Sequence, residues 1–86
     1  MSQTPALIEQ IATALAKGDA ATVGKVAHAL KGSARAVGAD EFAAIAFELE
    51  QAGKQGDLSN APDALQRLQA YWQSLEAYLQ EQVAAA

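Results

Sequence analysis

The chain carries one histidine, His28, and the residues around it are chemically selective. Gly24 and Gly32 stand four residues to either side of it. Lys31 and Arg35 follow it, and Lys25 precedes it. No acidic residue lies between Asp19 and Asp40, so Lys25, Lys31 and Arg35 give that stretch a charge of +3 in a chain whose net charge is −4. A neutral imidazole nitrogen is a competent nucleophile at physiological pH. Its attack on a phosphoryl donor gives a phosphoramidate, a high-energy species that can be handed on. Ammonium and guanidinium groups bind phosphoryl oxygens through charge-assisted hydrogen bonds. Phosphoryl transfer depends on positioning and charge neutralisation more than on elaborate covalent machinery. The cluster reads as an anion site beside a nucleophile, with phosphate the natural anion.

Other chemistries are excluded or unsupported. With no cysteine there is no disulfide, iron–sulfur cluster, thiolate zinc site or cysteine nucleophile. A single histidine and scattered carboxylates do not make a metal site, and no cofactor is expected on the chain. No catalytic triad and no glycine-rich phosphate loop is visible, so the chain has no evident nucleotide site of its own. The negative net charge argues against nucleic-acid binding. No apolar run reaches the ~20 residues needed to span a bilayer, and no signal-peptide pattern opens the chain. A cytoplasmic protein without membrane association is expected.

The elements that must position His28 follow from composition and periodicity. Eighty-six residues make one domain, spanning 1–86. Half of the 51% hydrophobic share is alanine, the best helix former, whereas Val, Ile and Thr together number only ten. The expected class is all-α, with helices over 5–17, 20–37, 40–55 and 61–83. Thr4 is expected to cap the first helix with Pro5 at its first position, Asp19 to cap the second and Asp40 the third. Gly18 and Gly38 are placed to close helices, and Gly53 and Gly56 lie where the third ends. Asn60 and Asp63 suggest a variant capping box for the fourth. Leu65, Leu68, Trp72, Leu75 and Leu79 form an a/d seam on that helix. Tyr71 and Tyr78 flank it as expected core rim, and the 84–86 tail is expected to fray. The seam would also suit a dimer, but an antiparallel up-down four-helix bundle and a monomer are expected.

On a helical wheel that starts at Val23, the residues Val26, Ala27, Leu30, Ala34 and Val37 lie within about 60° of the start and form the expected core face. His28 falls at about 140° and is expected to face solvent. Gly24, Lys31, Gly32 and Arg35 fall beside it, with Lys25 on the other flank. A helical glycine costs about 1 kcal/mol relative to alanine, so two of them around one side chain call for a reason. Close approach of a partner to the imidazole is one reason, and close packing against a neighbouring helix is the other. Ser33 falls towards the core side, where a bond back to the helix carbonyls is expected.

The run Ala27-His28-Ala29-Leu30-Lys31-Gly32-Ser33, followed by Gly38 and then by Leu49-Glu50, resembles the histidine-containing phosphotransfer (HPt) domain. That family's signature is H-x-x-K-G-S/A, with a glycine ten residues after the histidine and a third helix ending in L-E or L-Q. The resemblance covers His28 to about Lys54. It implies a four-helix phosphorelay module in which His28, through Nε2, accepts a phosphoryl group from one receiver-domain aspartate and donates it to another. The implied partners are response-regulator receiver domains and a hybrid sensor histidine kinase. Mg²⁺ belongs to the receiver, and the chain is a carrier without independent turnover.

By the same resemblance Lys31 stabilises the phosphoryl group, and Gly32 lets the receiver close over the imidazole. Glu50 stands where many members have a polar residue, often Gln. A carboxylate there would orient the imidazole, or repel the phosphoryl group if too close. Arg35 and Lys25 are docking charges on the charge argument alone. Phe47, on a stripe with Ala43, Glu50 and Lys54, is expected in the receiver-docking patch. The alternative from another class is a helical adaptor that binds an acidic partner through the basic face around His28 without phosphorylation.

Overall fold

A computed structural model describes residues 3–85, with side chains over residues 3–78. Among the described residues there are four helices and no strand: α1 (Thr4–Ala16), α2 (Ala20–Ala36), α3 (Asp40–Gln55) and α4 (Ala61–Ala85). They form a ring of neighbours in which α2 packs most extensively on α3, and α1 and α4 close the circle. Short connections make each helix antiparallel to the one before it, as an up-down bundle requires. No helix among the described residues is long and apolar enough to cross a membrane.

The helix boundaries follow local chemistry. Asp19 caps α2, accepting the backbone N–H of Thr22 at 3.2 Å and its hydroxyl at 2.6 Å. Gly18, Gly38 and Gly56 follow α1, α2 and α3 at φ of 70°, 76° and 70°. Side chains rarely adopt that left-handed conformation, and glycine adopts it without penalty.

Two expected caps shift by one residue. Leu7 N–H reaches the Gln3 carbonyl at 3.0 Å, so α1 starts with Thr4 buried inside it and Gln3 at the cap. Ala43 N–H likewise reaches the Ala39 carbonyl at 2.9 Å, which makes Asp40 the first residue of α3. There its carboxylate, with that of Glu41, faces the positive end of the helix dipole. Among the described residues Asn60 and Asp63 make no side-chain capping bond before α4, and Asp63 accepts from Arg67 Nε at 3.2 Å. The preceding loop is instead held by Asp57, whose Oδ1 accepts the backbone N–H of Ser59 at 3.1 Å and its hydroxyl at 2.6 Å.

The core gathers Ile8, Ile11, Val23, Leu30, Phe42, Leu49, Leu65 and Leu68 with buried alanines from all four helices. Small side chains let the helices approach closely, and Phe42 fills the centre. Its ring lies 6.0 Å from Tyr71 and 6.1 Å from Trp72. The α4 seam packs inward on this core, with Leu65 and Leu68 buried and Trp72 and Leu75 partly so. Leu79 of that seam and the end of the tail lie outside the described side chains. Tyr71 is core rim as expected, but Tyr78 is 57% exposed, since the seam meets less of the bundle towards the end of α4. Arg67 ties α4 to α3 through a bidentate pair with Glu48 at 2.9 and 3.0 Å.

Candidate functional site

The α2–α3 contact places the site, and two helical glycines set its distance. A Cβ built on Gly24 would lie 3.4 Å from the Gly53 backbone and 3.5 Å from the Glu50 carbonyl oxygen. A Cβ on Gly53 would run into the backbone N and Cα of Gly24 and lie 2.7 Å from the Ala20 carbonyl oxygen. The two backbones therefore touch, and at Gly53 no side chain fits.

The reading of Gly24 as room for a partner is corrected by this contact. Gly24 is buried, and what its missing side chain admits is α3. Gly32 is different: it is exposed, and a Cβ there would meet nothing within 4 Å. The wheel misplaced Gly24 because it assumed a single packed stripe. Helix α2 lies between α1 and α3, which widens its buried arc towards Gly24 and Lys31. The arc recedes at the other end. Val37, expected in the core, is the C-cap residue of α2 and is 58% exposed. Ser33, expected towards the core, is also exposed.

His28 stands at the edge of this contact with 69% of its side chain exposed. Across the seam, Glu50 of α3 is almost fully buried, at 1% exposure. Its Oε2 lies 2.7 Å from Nδ1 of His28, and its Oε1 accepts from the Lys31 ammonium at 2.5 Å. Lys54, one turn further along α3, places its ammonium 3.3 Å from the same Oε2. A buried carboxylate needs partners of this kind, because an uncompensated charge in the interior is costly. The Lys31 ammonium, with hydrogen bonds from His28 and Lys54, holds the Glu50 carboxyl down at about 2 against an ordinary 4.5, although burial pushes it up.

An ionised carboxylate only accepts hydrogen bonds, so Nδ1 of His28 must be the protonated nitrogen. The lone pair is then left on Nε2, at the far edge of the ring from Glu50. The arrangement presents an oriented nucleophilic nitrogen at the surface, backed by a fixed negative charge.

The remaining candidates surround this pair unevenly. Phe47 is 43% exposed, and the Lys31 ammonium sits 5.2 Å from its ring centroid, so the Phe47 stripe does adjoin the His28 helix. Arg35 and Lys25 are exposed, and neither has an acidic group within ion-pair distance among the described residues. A shallow hollow beside the imidazole is lined by Gly24, Lys25, His28, Glu50, Gly53 and Lys54.

Two members of the cluster escaped sequence reasoning. Gly53, expected near the end of the third helix, is an interior contact of α3, and Lys54, expected on the Phe47 stripe, joins the cluster through Glu50. The available signal was the spacing: Gly53 and Lys54 are the third and fourth residues after Glu50, the spacing at which helix residues become neighbours.

A protein-family model, the Hpt domain, matches residues 1–78. No curated protein sequence and no solved structure gives a significant match. The family match spans nearly the whole chain, well beyond the His28 to Lys54 segment that carried the resemblance. With a helical bundle that lifts one histidine to its surface, it shows that the chain belongs to the Hpt domain family, the phosphotransfer carriers of two-component signalling.

Proposed function

We propose that this chain is a phosphorelay carrier in which Nε2 of His28 takes a phosphoryl group from a receiver-domain aspartate and passes it to a second receiver. The observation that carries this reading is the 2.7 Å contact between Nδ1 of His28 and buried Glu50, which turns Nε2 outward with its lone pair available. In the step, the Nε2 lone pair forms a bond to phosphorus while the bond from phosphorus to the aspartyl oxygen breaks. The aspartate leaves as a carboxylate. The ring becomes an imidazolium whose Nδ1–H stays on Glu50, so the carboxylate stabilises the charge that develops. The return step reverses each bond change.

Lys31 and Lys54 pair with Glu50, and Lys25 and Arg35 stand exposed along the His28 helix. The face attracts the acidic pocket and phosphoryl group of a receiver. Open space over Gly32 supports close approach to the imidazole. Phe47 supplies an apolar contact next to Lys31, and we assign it to the docking patch. The divalent ion is the receiver's Mg²⁺, and a hybrid sensor histidine kinase stands upstream. On this reading the chain has no turnover of its own, because the receiver supplies the remaining reacting groups.

The test is phosphotransfer from a phosphorylated receiver of a hybrid kinase, followed by intact mass and an acid-stability check. Wild type is expected to gain one acid-labile phosphoryl group, and His28→Gln none. If folded wild-type protein gains no adduct from any receiver tested, the relay reading fails in favour of an adaptor that binds an acidic partner through the same face.

A further inference from the structure

The two lysines on Glu50 differ in a way that separates their roles. Lys31 is only 13% exposed, sits 2.5 Å from Oε1 and is covered by the Phe47 ring. Lys54 is 63% exposed and stands 3.3 Å from the oxygen that already accepts from His28. Moving Lys31 would take the closest cation from a buried carboxylate, which is costly. Moving Lys54 leaves Glu50 with Lys31 on one oxygen and His28 on the other. Lys54 lines the hollow beside the imidazole together with Gly24 and Gly53, which bring no side chains to it.

We propose that Lys54 is the cation that turns onto the phosphoryl group of phosphorylated His28, while Lys31 remains the fixed counter-ion of Glu50. The inference rests on His28 being the phosphoryl acceptor. It departs from the resemblance, which gives the phosphoryl group to the lysine of the H-x-x-K motif. Phosphorylation places a dianion on Nε2 and a full positive charge on the ring, which tightens the Nδ1–H bond to Glu50 Oε2. That oxygen then needs its second partner less, and the exposed ammonium is drawn to the phosphoryl oxygens.

The test uses potassium phosphoramidate as donor, so no partner protein is required. The Nε2–P bond forms as the phosphorus–nitrogen bond of the reagent breaks and ammonia leaves. The ³¹P shift of phosphohistidine is then followed against pH in wild type, Lys54→Met, Lys54→Arg and Lys31→Met. A cation beside the phosphoryl group keeps it dianionic to lower pH. Lys54→Met is expected to raise the midpoint by about one pH unit, a tenfold change in proton affinity. Lys54→Arg should restore it, and Lys31→Met should shift it less.

Lys54 shares Oε2 with His28, so Lys54→Met is expected to shift the Nδ1–H proton resonance of the unphosphorylated protein while leaving that proton hydrogen-bonded to Glu50. A resonance lost to solvent exchange would mean that Lys54 only holds Glu50 in place, and would overturn the proposal. An unchanged midpoint in Lys54→Met, or a larger shift in Lys31→Met, would also overturn it while leaving His28 as the acceptor. No adduct on wild type would remove the acceptor assignment as well.

Discussion

Glu50 organises the site residue by residue. It is a carboxylate buried at a helix–helix seam, yet three donors from two helices surround it. Its most specific action is on His28, where it selects which ring nitrogen keeps the proton. Glu50→Ala is therefore expected to release the imidazole into exchange between its two tautomers, so that the ¹⁵N shifts of the ring nitrogens move towards each other. Loss of one charge-assisted hydrogen bond, roughly 1.5 kcal/mol, should slow phosphoryl acceptance by about tenfold. A rate unchanged in a variant with averaged tautomers would show that orientation of the imidazole does not limit transfer. The histidine, its exposed setting and its motif lysine were legible in the sequence because they lie within one helical turn, but the burial of Lys31 beside Glu50 was not. The link to Glu50 crosses 22 residues, so only its position in the family pattern suggested it.

At the scale of the helices, the three glycines flanking the site act differently. Gly53 has no room for a side chain, whereas Gly32 has open space. Gly53→Ala gains helix propensity but forces α2 and α3 apart, and overpacking of this kind typically costs roughly 1–3 kcal/mol. Gly32→Ala should stabilise by up to about 1 kcal/mol, since its Cβ meets nothing, while impeding receiver access. Urea unfolding of both variants with receiver transfer on the second checks the contrast. A Gly53→Ala protein as stable as wild type would mean that the glycine contact does not set the interhelical distance. Gly24 sits between these extremes, with 3.4 Å to its neighbours. Helical periodicity alone gives angles around one axis. It does not say which arc a second helix will cover, which is why Gly24 and Val37 were assigned to the wrong surroundings.

For the whole molecule, the ion cluster couples the site to stability. The Glu50 carboxyl sits at about 2 in the fold against an ordinary 4.5. A depressed carboxyl stabilises the folded state at pH values above its unfolded value, and the contribution is lost as pH falls through the folded one. The melting temperature is thus expected to hold steady from neutral pH down to about 4.5 and to fall between there and about 2. Asp19 and Asp57, lowered by their hydrogen bonds to Thr22 and Ser59, act in the same direction from the loops. Glu50→Gln should be less stable than wild type at neutral pH, with a shallower acid limb. An acid limb identical to that of wild type would mean that Glu50 does not carry the coupling.

The sequence by itself determined the helical class, the four elements and the exposed histidine among cations, since alanine content, glycine punctuation and one-turn spacing are local properties. It also carried the family signature, written within a segment of some thirty residues. Only the tertiary structure decided which residues from α3 meet His28. It buried a carboxylate against the imidazole, added Lys54 to the cations and left Lys31 committed to Glu50. The reason is physical: the charge state and orientation of a side chain are set by groups within a few ångströms in space, and the Gly24–Gly53 contact brings such groups together from distant parts of the chain.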